Sequence, residues 1–162
     1  RNCELVIKGF IVGTKTIVRN RKARHQYEIL EKFEAGIALV GTEVKSLRIG
    51  AVKLGEAFCQ INDDLQLDLC QMTISLYDFG NIHNHTPDRR RKLLMHRKEI
   101  IKLYSKMREK GLTLIPLSLY FKNSNVKVEL ALCRGKKLHD KRNTIKDRDT
   151  KRDTDRALKG IM

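Results

Sequence analysis

Phe58-Cys59-Gln60-Ile61-Asn62-Asp63-Asp64-Leu65-Gln66-Leu67-Asp68-Leu69 is the most regular stretch of the chain. Leu65, Leu67 and Leu69 recur at a strict period of two, which matches the alternation of side chains along a strand and not the period of a helix. Phe58 to Ile61 offers a partner segment, and Asn62-Asp63-Asp64 between the two is turn chemistry. The stretch is predicted to be a β-hairpin with one face buried.

The segments on either side extend this pattern. Leu112 to Lys122 and Val126 to Leu132, joined by Asn123-Ser124-Asn125, predict a second hairpin, with Pro116 forcing an edge or bulged position because it lacks a backbone donor. Tyr27 to Val40 reads as two strands joined near Lys32, with Tyr27, Ile29, Phe33, Ile37 and Leu39 facing inward. Thr42 is expected to cap a short helix that buries Val44 and Leu47, exposes Glu43, Lys45, Ser46 and Arg48, and stops at a left-handed Gly50. Asn81 to Pro87 is polar and turn-rich. Lys92 to His96 reads as a short strand before an amphipathic helix from Arg97 to Lys110. Ile100, Leu103, Tyr104 and Met107 line that helix, and Gly111 ends it.

Short strands interrupted by two small helices give a mainly β fold, a closed or partly closed Greek-key barrel of the oligonucleotide-binding kind with a basic C-terminal tail. Residues 1–17 are expected to be an N-terminal extension leading to a first element near Val18, 18–133 the β-barrel body, and 134–162 the tail. In the tail Leu138, Ile145, Ala157, Leu158, Ile161 and Met162 are too sparse for a core, so it is expected to be disordered when free. Asp147 with Lys151 and Asp155 with Lys159 stand in the favourable order four apart, so a helix can form once a polyanion screens the remaining charge.

Composition selects the partner class. The chain has 162 residues with 34 Lys plus Arg against 19 Asp plus Glu, a formal +15, and 41% hydrophobic residues suffice for one core. Such a field draws in polyanions, and nucleic acid leads among them. A membrane surface would call for a clean amphipathic helix or a lipidation signal, and the sequence offers neither. No apolar run is long enough to span a bilayer, so a soluble protein is expected. Cys3, Cys59, Cys70 and Cys133 are scattered without a Cys-x-x-Cys pair, which suggests neither zinc nor disulfides and points to a reducing compartment. A cytoplasm fits; because the chain starts at Arg1, an organellar stroma or matrix stays open.

Catalysis finds no support. Nucleophile-elbow, His-Glu-x-x-His and phosphate-loop patterns are missing, and Gly135-Lys136-Lys137 lacks both the earlier glycine and the final hydroxyl of a phosphate loop. His83 and His85 lack further ligands, so no metal and no cofactor is expected. Carboxylates such as Glu34 and Glu43 in a basic protein orient Arg or Lys more often than they act as an acid and base pair. Asn20-Arg21-Lys22-Ala23-Arg24-His25, placed just before the first strand, must face solvent or phosphate, because burying these cations would strip their hydration. The run from Arg134 to Arg148 is the densest in cations. His139 within it can stack on a base as well as hydrogen-bond, while a general polyanion tail is the plainer alternative.

Six ordered blocks carry a family resemblance: Asn20-Arg-Lys-Ala-Arg-His-x-Tyr27, Glu34-Ala-Gly-Ile37, Gly41-Thr-Glu-Val-Lys-Ser-Leu-Arg48, Arg91-Lys-Leu-Leu94, Lys110-Gly-Leu-Thr-Leu-Ile-Pro-Leu117 and Gly135-Lys-Lys-Leu-His-Asp-Lys-Arg142. Together they resemble the SmpB family of SsrA-binding proteins, from about Thr16 to Lys159. The resemblance implies a non-enzymatic monomer whose barrel binds the tRNA-like domain of transfer-messenger RNA (tmRNA). The complex, delivered with elongation factor Tu, enters the empty A site of a stalled ribosome for trans-translation, and the tail reads the decoding centre and vacant mRNA channel. It further implies that Glu34, Leu94, His96 and Lys127 face the RNA with Lys22, Arg24, His25, Lys45 and Arg48 as neighbours. Gly135, Lys136, Lys137, His139, Asp140, Lys141, Arg142, Lys146 and Arg148 would belong to the decoding tail, with His139 stacking. Thr150 stands where the family usually carries a tryptophan. A general ribosomal or RNA-chaperone protein is the alternative that charge alone would allow.

Overall fold

The computed structural model describes residues 14–80, 82, 84–136 and 154. In chain order the elements are β1 (Thr14–Arg19), α1 (Arg21–Gln26), β2 (Tyr27–Ile37), α2 (Gly41–Arg48), β3 (Val52–Lys53), β4 (Phe58–Ile61), β5 (Leu67–Cys70), β6 (Thr73–Ile74), β7 (Arg91–Leu94), α3 (Arg97–Lys110), β8 (Thr113–Lys122) and β9 (Asn125–Gly135). Seven strands form one antiparallel sheet in the order β1-β8-β4-β5-β7-β2-β9, and β9 also pairs with β8, so the strands curl into a partial ring. The short strands β3 and β6 pair with each other beside it.

The hairpin from Phe58 forms as its period predicts. Phe58 lies opposite Cys70 and Ile61 opposite Leu67, with Cys59, Ile61, Leu67 and Leu69 buried. Leu65 leaves the strand for the loop at φ 57°, and the turn closes through hydrogen bonds from Asn62 N to Gln66 O and from Leu65 N to Asn62 O, both 2.9 Å. In the second hairpin Asn123 and Ser124 both take left-handed φ, 48° and 66°, the two-residue turn whose twist matches the flanking strands. α3 spans the residues its periodicity predicts. Ile100 and Leu103 are buried, Tyr104 and Met107 pack at the core edge, and Gly111 at φ 57° ends it.

Two bulges give the sheet a core on both faces. In β2 the register slips between Ile29 and Glu31, and in β8 between Pro116 and Ser118, where the proline was expected to disturb pairing. Each extra residue moves the odd-numbered side chains to the opposite face. Phe33, Ala35 and Ile37 therefore join Leu119, Val128, Leu130 and Leu132 in the main core, whereas Tyr27, Ile29, Ile115 and Leu117 join Ala131 and Cys133 on the other side. There Ala23 of α1 covers them.

Several expectations are corrected. Tyr27 to Val40 is not two strands joined near Lys32: β2 runs unbroken, because β9 offers it a partner along its length and the bulge absorbs the break in alternation. The basic segment after Asn20 is a third helix and does not precede the first strand. β1 starts at Thr14, ahead of Val18, and pairs with β8. With Ala23 the only buried residue of α1, no helical period was visible; the helix is held by Asn20, whose Oδ1 accepts from Ala23 N at 3.1 Å. The Asn20 Nδ2 donates to Leu54 O at 3.0 Å and Pro116 O at 3.3 Å. Thr42 does not cap α2. Glu43 Oε2 accepts from Val40 N at 2.9 Å instead, and Thr42 Oγ1 meets His85 Nδ1 at 3.0 Å. Glu43 and Ser46 are buried, not exposed, since α2 turns that side toward the segment before β7; Lys45 and Arg48 are exposed and Gly50 is left-handed as expected.

Candidate nucleic-acid interface

Register alone assembles an outward-facing row across five strands. Thr16 pairs with Tyr120, Tyr120 with Lys127, Lys127 with Gly36 and Gly36 with Leu94. Leu94 is 54% exposed in spite of its apolar side chain. Gly36 makes room for it, since a Cβ there would stand 3.2 Å from the Leu94 Cβ. Two residues along the strands the next row is Glu34, Glu129 and Ser118, on the same face. The structure thus brings Glu34, Leu94 and Lys127 together on one surface.

A cleft of about 800 Å³ opens beside these rows. Its lining includes five cations, Arg19, Arg21, Arg24, Lys32 and Lys122, with Glu34, Glu129 and Tyr120 among them. Tyr120 Oη donates a short hydrogen bond to Glu34, and Lys122 Nζ lies 3.1 Å from both Glu34 oxygens. The Tyr120 hydroxyl, with help from Lys122, holds the Glu34 carboxyl below the ordinary carboxylate range, while burial and the neighbouring Glu34 push the Tyr120 phenol up. Burial would raise Glu129, but hydrogen bonds from Lys32 Nζ at 3.0 Å and Ser118 Oγ at 2.9 Å outweigh it and its pKa is lowered. Both carboxylates are therefore ionised at neutral pH and hold lysines on the cleft wall. The surface is positive and largely pre-positioned.

Among the described residues, Arg24 is the only other candidate that lines the cleft. α1 turns Arg21 and Arg24 to the cleft, while Lys22 does not line it and pairs with Glu56 at 2.6 Å; His25 is half-buried. His96 follows β7 as the N-cap residue of α3 and is exposed. Lys45 and Arg48 stand on α2 outside the cleft, with Lys45 Nζ 5.2 Å from the centroid of the Tyr77 ring. Arg134 and Gly135 are part of β9, Gly135 pairs with Tyr27, and Lys136 N donates to Gln26 O at 3.0 Å. Lys137, His139, Asp140, Lys141, Arg142, Lys146, Arg148 and Thr150 lie outside the described residues, as does His83.

Tyr120, Lys122, Ser118 and Arg19 were missed from the sequence. For the three on β8 the signal was alternation, visible only once the bulge after Pro116 is allowed for; Arg19 ends β1 and reaches the cleft through its pairing with Ser118. His85 serves the fold: Nε2 donates to Ile74 O at 3.2 Å, which leaves Nδ1 to accept from the Thr42 hydroxyl. Among the described residues no group of three or more His, Cys, Asp or Glu is placed to hold a metal ion. Cys59, Cys70 and Cys133 are free and buried, and burial pushes the Cys133 thiol up to about 11.

Comparison with known proteins identifies the family. The family model "SmpB protein" matches residues 17–160. The SsrA-binding protein of Pelotomaculum thermopropionicum is 53% identical over 93% of this chain and 98% of its own length, and that of Acaryochloris marina is 56% identical over 90% and 94%. A chain in the solved structure described as "tmRNA-SmpB: a journey to the center of the bacterial ribosome" superposes with a TM-score of 0.63 at 50% identity, over 75% of this chain and 85% of that one. The chain belongs to the SmpB family of SsrA-binding proteins.

Proposed function

We propose that the outer face of the sheet and the adjoining cleft bind the tRNA-like domain of tmRNA, and that the protein acts with that RNA on stalled ribosomes in trans-translation. The observation that carries this is the convergence of Glu34, Lys127 and Leu94 with the five cations of one cleft. Phosphates meet the cations; Tyr120 and Leu94 give flat and apolar surface to unstacked bases and sugars. The role is binding, with no chemistry of its own. The circuit of pairings from β8 through β4, β5, β7, β2 and β9 back to β8 supports a barrel of the oligonucleotide-binding kind.

Within this proposal the basic residues beyond Lys136 sense the decoding centre and empty mRNA channel, with His139 stacking there, and elongation factor Tu joins through the RNA. The bacterial relatives support a bacterial cytoplasmic setting. The test is a titration of the tRNA-like domain against bulk tRNA over a salt series. Preference for the former is expected, with log K falling by about 0.7 to 0.9 per decade of salt for each phosphate neutralised. Lys127→Ala should weaken binding about tenfold, the scale of a charge-assisted hydrogen bond. Equal affinity for both RNAs would remove the proposal.

A further inference from the structure

The loop between β6 and β7 leaves large apolar side chains in water. Phe79 is 82% exposed, Ile82 91% and Leu76 51%. None of them lines the cleft. Among its described residues, Tyr77, Gly80 and Asn84 are nonetheless tied together. Asn84 Oδ1 accepts from Tyr77 N at 3.2 Å while its Nδ2 donates to Tyr77 O at 2.7 Å, and Gly80 N donates to the same carbonyl at 2.8 Å. A Cβ on Gly80 would lie 2.7 Å from Asn84 Nδ2 and 3.0 Å from Tyr77 O, so this tight turn has room only for glycine. His85, the next residue, is anchored to Thr42 and Ile74.

The Tyr77 and Phe79 rings meet edge to face, with centroids 5.6 Å apart and planes at 62°. Lys45 stands over Tyr77, and Arg48, one helical turn further along α2, is exposed. Tyr77 is therefore occupied, while most of the Phe79 ring is open next to a ring that carries one lysine, with Arg48 exposed on the same helix as that lysine. A protein partner would be expected to cover apolar side chains framed by few charges; an exposed ring near a helix that presents lysine and arginine to solvent is instead the combination that receives single-stranded nucleic acid, where bases stack and phosphates are neutralised. Asp78 on the same loop is exposed and would repel a phosphate placed against it.

We infer that Phe79 is a stacking platform for an unpaired nucleobase of the bound RNA, with Lys45 and Arg48 taking the flanking phosphates. This rests on the RNA binding proposed above and adds a second contact surface apart from the cleft. Because the chain contains no tryptophan, Phe79→Trp makes a single indole reporter at an exposed site. Titration with an oligoadenylate and with the tRNA-like domain should quench its fluorescence, whereas a blunt RNA duplex should bind through charge without quenching. Phe79→Ala should weaken oligoadenylate binding roughly five- to hundredfold, and Phe79→Tyr should not. Gly80→Ala should weaken it too, by displacing the loop with its rings intact. Binding seen by anisotropy without quenching would overturn the inference. So would a Phe79→Ala protein that keeps its RNA affinity and instead loses a ribosomal protein from its complexes. Loss of preference for the tRNA-like domain with quenching by oligoadenylate intact would strike the proposed function and leave the stacking platform standing.

Discussion

Removing the Glu43 carboxylate should destabilise the protein more than any change on the interface itself. Glu43 and Arg91 are both 0% exposed, and Arg89 is partly so. Glu43 accepts from Arg91 Nε at 2.8 Å, Arg89 Nε at 2.8 Å, Arg89 Nη2 at 2.6 Å and Val40 N at 2.9 Å. Three of the four remaining Arg91 N–H groups donate to backbone carbonyls of Met72, Arg89 and Pro87. In Glu43→Ala, Arg89 can turn to water but Arg91 cannot, and an uncompensated buried cation costs about 3–5 kcal/mol. That is a large share of the 5–15 kcal/mol typical of a domain, and corresponds to a fall in Tm of roughly 10–20 °C. Urea or thermal unfolding followed by circular dichroism measures it. The same network sets the acid limb. Burial alone would raise Glu43, but Arg89, the Val40 amide and Arg91 outweigh it and lower its pKa. A carboxylate depressed on folding contributes stability that is complete above its unfolded pKa and is lost as pH falls through the folded one. The wild type should therefore lose stability below the ordinary carboxylate range, and Glu43→Gln should lack that part of the slope. A loss under about 1 kcal/mol in Glu43→Ala would mean the backbone carbonyls alone suffice for Arg91, and the reasoning would fail.

Two further outcomes are expected. A chain ended after Lys136 should keep its affinity for the tRNA-like domain and lose peptide tagging on stalled ribosomes, whereas ending it at Leu132 should also lower thermal stability, because Cys133 to Gly135 pair with β2 and Lys136 bonds to Gln26; equal stability of the two would contradict the observed extent of β9. Tyr120→Phe removes the largest influence lowering the Glu34 pKa, so a carbon-13 NMR titration should find that carboxyl moved up toward its ordinary value, and an unchanged titration would show that Lys122 alone holds it down.

How much of this was legible depended on whether the information was local. Leu65 to Leu69 and Arg97 to Lys110 announce strand and helix because one face of each meets the core without interruption. Gly50 and Gly111 announce their turns because left-handed backbone favours glycine. β2 was split in error because a bulge is a property of two strands: the slip between Ile29 and Glu31 exists only relative to β9. α1 escaped because its stability comes from tertiary partners, with Asn20 reaching the backbone of Leu54 and Pro116 and a single alanine packed beneath it. Glu43 was placed in solvent by the rule that carboxylates stay outside, which is suspended where arginines follow it inward. At the interface, Glu34, Leu94 and Lys127 were named by motif, but nothing in one dimension shows that Gly36 aligns Leu94 with Lys127 or that Tyr120 faces Glu34.

The acids on this basic surface answer a physical requirement. Exposed ion pairs add only about 0–1 kcal/mol each, so stability does not account for Glu34 and Glu129 in the cleft proposed to take a polyanion. What they change is freedom. A lysine side chain in water samples many rotamers, and fixing it at a phosphate costs entropy on binding. Lys122 held at Glu34 and Lys32 held at Glu129 have already lost much of that freedom. Each carboxylate also lowers the attraction of the cleft for polyanions in general, while Arg19, Arg21 and Arg24 keep it net positive. Weaker affinity for every RNA together with a smaller ordering cost for the RNA that fits is a gain in discrimination. A protein that must find one structured RNA among abundant tRNA needs that difference more than it needs raw affinity.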